Sequence, residues 1–298
     1  MILNKKILHD SGCFDKDWIV DNMQYETIVG SYAYGCNVEE SDFDIYAYTI
    51  PPKEFLVPNF YGYFYGFDKI IPSFDQYATN KKFKYKKMEA EGTVYNIVKY
   101  FRLIMENNPN MLDTLFTRNH LHTHNTNIGK IVIENRKLFV SKKSYHTFRG
   151  YASKQRENMI ERNPSGKRKE IVDKFGYDVK YAAHLIRLLL ECEQLLETGE
   201  MDLMRDKEIL KSIRRGEWSS EKILDFFDRY EPRLDKLYES SKIQYEPDTK
   251  KIKDLLIWCL EEYYGDLRLT KNSNIADILN KIQDKLSETM KIVSYYKE

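Results

Sequence analysis

The sequence predicts an α+β protein, with a mixed α/β unit over residues 1–145 followed by an all-helical unit over residues 146–298. Three observations carry that expectation. Short β-branched and aromatic runs punctuated by Gly and Pro occupy the first part. Apolar stripes at i, i+3, i+4 spacing take over from about residue 146. Across 298 residues, 42% are hydrophobic and 31% charged, the balance of a globular chain able to bury a sizeable core rather than a disordered one.

In chain order, "YETIVGS" (25–31) is an apolar run ending at Gly30, and "FDIYAYTI" (43–50) is a second, stopped by Pro51 and Pro52. Both read as strands. "YGYFYGF" (61–67) reads as an aromatic loop, and "KKFKYKK" (81–87) as an alternating strand with Phe83 and Tyr85 on one side. Val94, Ile97, Val98, Phe101, Ile104 and Met105 share a helical stripe that ends at "NNPN". Pro109 suits the first turn of a following helix with Met111, Leu112, Leu115 and Phe116 inward. "DVKYAAHLIRLLLECEQLLETG" (178–199) is a long helix closed by Gly199. "SSEKILDFFDRYEPRLDKLYESS" (219–241) is helical with a break expected near Pro232, and further stripes follow Asp248 and begin again at Ile275.

A formal net charge of +1 gives no overall pull toward nucleic acid or membrane, so any basic surface must be local. "MILNKKILHD" lacks the apolar run of a signal peptide, and no segment is long enough to span a bilayer. Cys13, Cys36, Cys192 and Cys259 are scattered without a C-x-x-C pair, which argues for reduced thiols and a cytoplasmic location rather than a zinc or disulfide framework. The oligomeric state is not encoded in any recognisable pattern.

The chemistry concentrates in "GSYAYGCNVEESDFD" (30–44). In a strand, residues i and i+2 share a face, so Asp42 and Asp44 project together while Phe43 points into the core. Two carboxylates so placed repel unless a cation lies between them, and a hard divalent ion such as Mg²⁺ (or Mn²⁺) prefers oxygen ligands. Just upstream, Gly30 lets backbone approach a ligand, and the Ser31 hydroxyl with nearby N–H groups can hold phosphate oxygens. A phosphate cradle beside a metal-binding carboxylate pair is what phosphoryl or nucleotidyl transfer requires.

Ordered as G-S-x-A-x-G followed by S-D-x-D, this segment resembles the motif of the DNA polymerase β-like nucleotidyltransferase superfamily. "VYNIVKYFRLIMENNPNMLDTLF", "FRGYASKQ" and "YDVKYAAHLIRLLLECEQLLETGE" resemble blocks of its RNA-repair-pathway DNA polymerase β family, over about Tyr25 to Gly216. The resemblance implies a minimal, polymerase β palm-like nucleotidyltransferase α/β domain with a helical partner domain, Mg²⁺ dependence and a nucleoside triphosphate donor. It leaves the acceptor open: an RNA end, a protein side chain as in small nucleotidyltransferase toxins, or no reaction at all in a silent nucleotide- or RNA-binding module. The intact Asp pair speaks against the last.

The resemblance also implies a third carboxylate, where Asp is usual. Alignment of "EGTVY" favours Glu91 as metal ligand or proton acceptor, and Glu89, on the same strand face, stays open. Lys180, His184, Arg187 and Glu191 recur at i, i+4, i+7, i+11 opposite an apolar stripe of Ala182, Leu185, Ile186 and Leu189. Such a row is an ordinary solvated helix face; the family pattern makes Lys180, His184 and Arg187 a triphosphate-facing row. Lys99 and Arg102 are weaker phosphate candidates. His120, His122 and His124 alternate but lack the accompanying acid or cysteine of a typical metal site. "KKFKYKK" and "NPSGKRK" are the candidate contacts to a nucleic-acid backbone, with Phe83 and Tyr85 as stacking partners.

Overall fold

The computed structural model describes residues 1–39, 41–64, 66, 69–79, 81–161, 165–265, 282, 283, 285 and 286. The expected helix from Ile275 lies outside this set except for those last four residues.

The elements run α1 (Lys5–Asp10), α2 (Trp18–Asp21), β1 (Met23–Val29), β2 (Phe43–Thr49), α3 (Lys53–Leu56), β3 (Gln76–Ala78), β4 (Phe83–Tyr85), β5 (Met88–Asn96), α4 (Ile97–Met105), α5 (Pro109–Phe116), β6 (His122–Asn125), α6 (Asn127–Glu134), α7 (Lys143–Glu161), α8 (Lys167–Phe175), α9 (Val179–Thr198), α10 (Lys207–Arg214), α11 (Ser220–Ser240) and α12 (Thr249–Tyr264). The class is α+β, as expected. The chain forms two compact units, Met1–Pro51 with Asp75–Trp258, and Pro52–Phe74 with Cys259–Glu298. Sheet and helices α4 to α11 therefore belong to one unit. The sequence's passage from mixed to helical structure falls at α7, inside it.

The sheet has the order β3-β5-β2-β1-β6, with β4 also paired to β5. Among the described strands only β2 and β5 pair in parallel, in the register Phe43↔Ala90, Asp44↔Glu91, Ile45↔Gly92. β3 and β4 share the other edge of β5, and β4 meets it through a tight turn at Lys86 and Lys87, both left-handed at φ 47° and 68°. The core holds Ile45, Ala90, Ile97, Ile104 and Leu112, each fully buried. In β1, Glu26 is buried too, and its carboxylate accepts from the Ile2 N–H, the Leu3 N–H and the Thr123 hydroxyl, tying the amino terminus to the sheet.

Three local expectations are corrected. Val94 lies in β5 rather than on the α4 stripe, because Asn96 caps the helix by accepting from the Val98 N–H, and Val98 itself is exposed. α11 runs through Pro232 without ending; Ile223, Phe227, Tyr230 and Leu234 bury one face along its length, which offsets the missing N–H. α9 has no continuous solvated face: Lys180 is exposed, but the rest of the predicted row turns inward. Packing from α7, α10 and α11 encloses it, and Arg187, Glu191, Glu193 and Gln194 are buried with its leucines. Pro109, the α5 core residues and the left-handed Gly199 cap are as read.

Candidate active site

β2 begins at Phe43, whose ring is buried and stacked on Tyr32 at 4.3 Å, with Tyr85 edge-on at 5.4 Å. Strand alternation then sends Asp42 and Asp44 to the opposite face. Because neighbours in register share a face, Asp44↔Glu91 sets those two carboxylates side by side. Glu89 lies one alternation further along β5 and faces Lys84 across the β4–β5 pair. The two glutamates are thereby distinguished: Glu91 is level with Asp44. Glu89 shares the Lys82 ammonium with Asp42 at 3.1 Å.

Gly30 closes the other side. Its φ is +67°, and a Cβ built there would lie 2.3 Å from Asp44 Oδ2, so any side chain would strike the carboxylate. The turn Gly30–Tyr32 follows directly, and the Cys36 N–H returns to the Ser31 carbonyl at 3.0 Å. The Ser31 hydroxyl makes no hydrogen bond among the described residues.

The electrostatics are unbalanced in two opposite senses. Burial first, then Glu91 and Asp42, push the Asp44 carboxyl up from 3.8 to about 6, while Lys82 and Lys180 pull the other way. Lys180 is depressed by partial burial of its ammonium and then by Arg214 and Arg168, against Asp178 and Asp42. Cations from α8, α9 and α10 thus crowd within electrostatic reach of one another and of the acid cluster. Arg168 is steered by Asp178 at 2.8 Å and by the Tyr181 ring at 4.1 Å, and Asp178 itself caps α9 through the Lys180 and Tyr181 N–H groups. Arg214 reaches the Cys36 thiol, 3.9 Å away, at the end of the Gly30 loop.

Arg187 lies elsewhere. It is 3% exposed, its Nη1 donates to Asp113 and Glu191 at 2.7 Å each, and its guanidinium covers the Tyr34 ring at 4.3 Å. Burial works against its charge, yet Glu191, Tyr34 and Asp113 hold its pKa above the ordinary value; burial raises both acids. The Tyr34 hydroxyl donates to Asp113 at 2.5 Å, so this buried cluster braces the Gly30–Cys36 loop against α5 and α9. As placed, Arg187 does not belong to a solvent-facing row: the helical spacing was right, but the helix is enclosed. His184 is half-buried, and burial, Arg187 and Arg168 lower it to about 3, which keeps it neutral at physiological pH.

Other candidates have local partners. His122 bonds the Thr117 carbonyl and hydroxyl and His124 the Met23 carbonyl. Lys99 pairs with Asp75 at 3.6 Å. Phe83 and Tyr85 share the Phe43 side of the sheet, away from the acids. Of "NPSGKRK", only Arg168 has a place beside the site, and Asn163 and Pro164 lie outside the described residues. Sequence reasoning took Lys82 only as a nucleic-acid contact in its basic run and passed over Arg168 and Arg214 as individual residues.

Residues 20–227 match the RNA repair pathway DNA polymerase beta family. The chain belongs to that family. Membership makes it a nucleotidyltransferase-type protein and places the Gly30 loop, the Asp pair, Glu91 and helices α7 to α10 within the matched span. No protein with a curated description matches. A crystal structure at 1.90 Å of a nucleotidyltransferase-like protein from Exiguobacterium sibiricum 255-15 aligns with 11% identity and a TM-score of 0.26, covering 95% of this chain and 87% of that one. Among the described residues, no helix is long and apolar enough to cross a membrane.

Proposed function

We propose that the protein transfers a nucleotide from a nucleoside triphosphate to an acceptor hydroxyl, with an RNA end as the acceptor and Mg²⁺ (or Mn²⁺) as the metal. The observation that carries this is the gathering of Asp42, Asp44 and Glu91 on one face of the sheet, with Lys180 in electrostatic reach of Asp42 and Asp44, and Arg168 and Arg214 in reach of Lys180. Like charges gathered in this way are costly without a ligand, and the ligands that relieve both at once are a divalent cation and a polyphosphate.

The residues present fit such a cation: three carboxylates, one of them held up to about 6 by its neighbours and by burial, supply hard oxygen donors. Among the described residues no three acidic, His or Cys groups converge on one point, and Asp42 is paired with Lys82, so Asp42, Asp44 and Glu91 would hold the ion once Asp42 parted from that lysine. The bound ion supplies charge neutralisation at the α-phosphate and at the attacking oxygen. The chain does the rest. Gly30 admits the phosphates beside Asp44, and Ser31 offers its hydroxyl. Lys180, Arg168 and Arg214 orient the β- and γ-phosphates. The acceptor oxygen bonds to the α-phosphorus, its proton passes to the Glu91 carboxylate, the bond from that phosphorus to the bridging oxygen breaks, and pyrophosphate leaves. His184, neutral and half-buried, serves as a hydrogen-bond donor, and Arg187 acts through Tyr34 on the shape of the loop.

RNA is favoured as the acceptor by Lys84, Lys86 and Lys87, which carry no ion pair among the described residues and cluster on the hairpin that bears Glu89 and Glu91. The test is incubation with each α-labelled triphosphate, Mg²⁺ or Mn²⁺, and RNA and protein acceptors together. Label on RNA supports the proposal. Label on a polypeptide reassigns the acceptor to a protein side chain, and no label anywhere, with triphosphate bound, makes the protein a silent binding module.

A further inference from the structure

On the acid face of the sheet, one lysine is already spoken for. Lys82 donates to Asp42 and, at 3.1 Å, to Glu89. Among the described residues it is the only lysine of "KKFKYKK" in an ion pair; Lys81, Lys84, Lys86 and Lys87 have none. The pairing is not forced by burial, because the Lys82, Asp42 and Glu89 side chains are 43%, 37% and 54% exposed. It is also readily undone. β4 is three residues long and hydrogen-bonded only to β5, so the start of this strand can shift without disturbing β2.

We propose that Lys82 is the resident counter-ion of the metal site, holding Asp42 in the absence of the divalent cation and competing with it for that carboxylate. The proposal rests on the metal reading given above. A protonated amine and a divalent cation cannot share one oxygen of Asp42, so convergence of Asp42 with Asp44 and Glu91 on one ion requires the amine to leave. Loading the cation then places a displaced ammonium at the mouth of the site, where a polyphosphate meets it.

An exposed ion pair is worth up to about fivefold in an equilibrium constant, and the cation competes for the one at Asp42, so the expected effect is about two- to fivefold. The experiment is Mn²⁺ titration of the full chain without nucleotide, read by the electron paramagnetic resonance signal of free Mn²⁺. The variants are wild type, Lys82→Gln, Lys82→Arg and Asp44→Asn. Lys82→Gln should bind Mn²⁺ about two- to fivefold more tightly than wild type, Lys82→Arg should stay near wild type, and Asp44→Asn should lose the site. Equal affinity in wild type and Lys82→Gln, both abolished by Asp44→Asn, would overturn the role of Lys82 and leave the metal site standing. No saturable binding in wild type or Lys82→Gln would overturn both.

Discussion

Replacing Asp44 by Asn should stabilise the metal-free protein while ending transfer. Asp44 is held at about 6 in the folded chain against an ordinary 3.8. A carboxylate raised on folding costs nothing below its unfolded pKa, where it is protonated in both states, and its full cost appears above the folded value. The cost therefore grows between about pH 4 and pH 6 and is complete at pH 7.5. At about 1.4 kcal/mol for each pH unit, the difference amounts to about 3 kcal/mol, an upper bound because the asparagine amide must also be desolvated in this partly buried position. Denaturant unfolding in EDTA should thus show Asp44→Asn about 1–3 kcal/mol more stable than wild type at pH 7.5, with the gain shrinking toward zero at pH 4. Saturating Mg²⁺ should reverse the order, since only wild type gains from binding. A variant less stable than wild type in EDTA at pH 7.5, or a gain that does not change with pH, would refute the electrostatic account of the acid cluster.

Glu91→Gln should lower the transfer rate by about a hundredfold or more, whereas Glu89→Gln should cost far less; single-turnover transfer of labelled nucleotide separates them, and the reverse ranking would place the third carboxylate one alternation away. Replacing Lys84, Lys86 and Lys87 together by Gln should flatten the salt dependence of RNA binding by about two to three in slope and leave triphosphate affinity unchanged, as measured by titrations across a range of salt. Arg187→Met should cost about 3–5 kcal/mol in denaturant unfolding, because it strands the Asp113 and Glu191 carboxyls in the interior. A neutral result there would mean that both acids are protonated and need no partner.

How much of this was visible beforehand follows from the range over which each signal acts. β1 and β2 are marked locally by β-branched runs stopped at Gly30 and Pro51, and the shared face of Asp42 and Asp44 follows from a period of two. β5 was half-hidden: Glu89, Glu91 and Gly92 are poor strand formers, and Val94 happens to fit the helical stripe of α4. Arg187 was misplaced because spacing gives its direction around α9, not what stands opposite; α5, α7, α10 and α11 supply the enclosure and come from distant segments. Lys82 in a lysine run looks like any solvated charge until register brings β4 across β5 to the acids.

The parallel ladder between β2 and β5 also bears on how this protein can change. Asp44 and Glu91 are joined by more than forty residues of chain, among them Pro52–Phe74, which packs in the other compact unit. Their alignment is kept by seven matched pairs from Phe43↔Ala90 to Thr49↔Asn96, and the length of the connection has no part in it. Insertions or deletions between residues 52 and 74 leave the carboxylates facing one another, while a single residue added within β2 or β5 turns one acid to the far side of the sheet. Lineages can therefore remodel the connecting segment freely, and with it whatever that segment touches, without re-evolving the carboxylate pair.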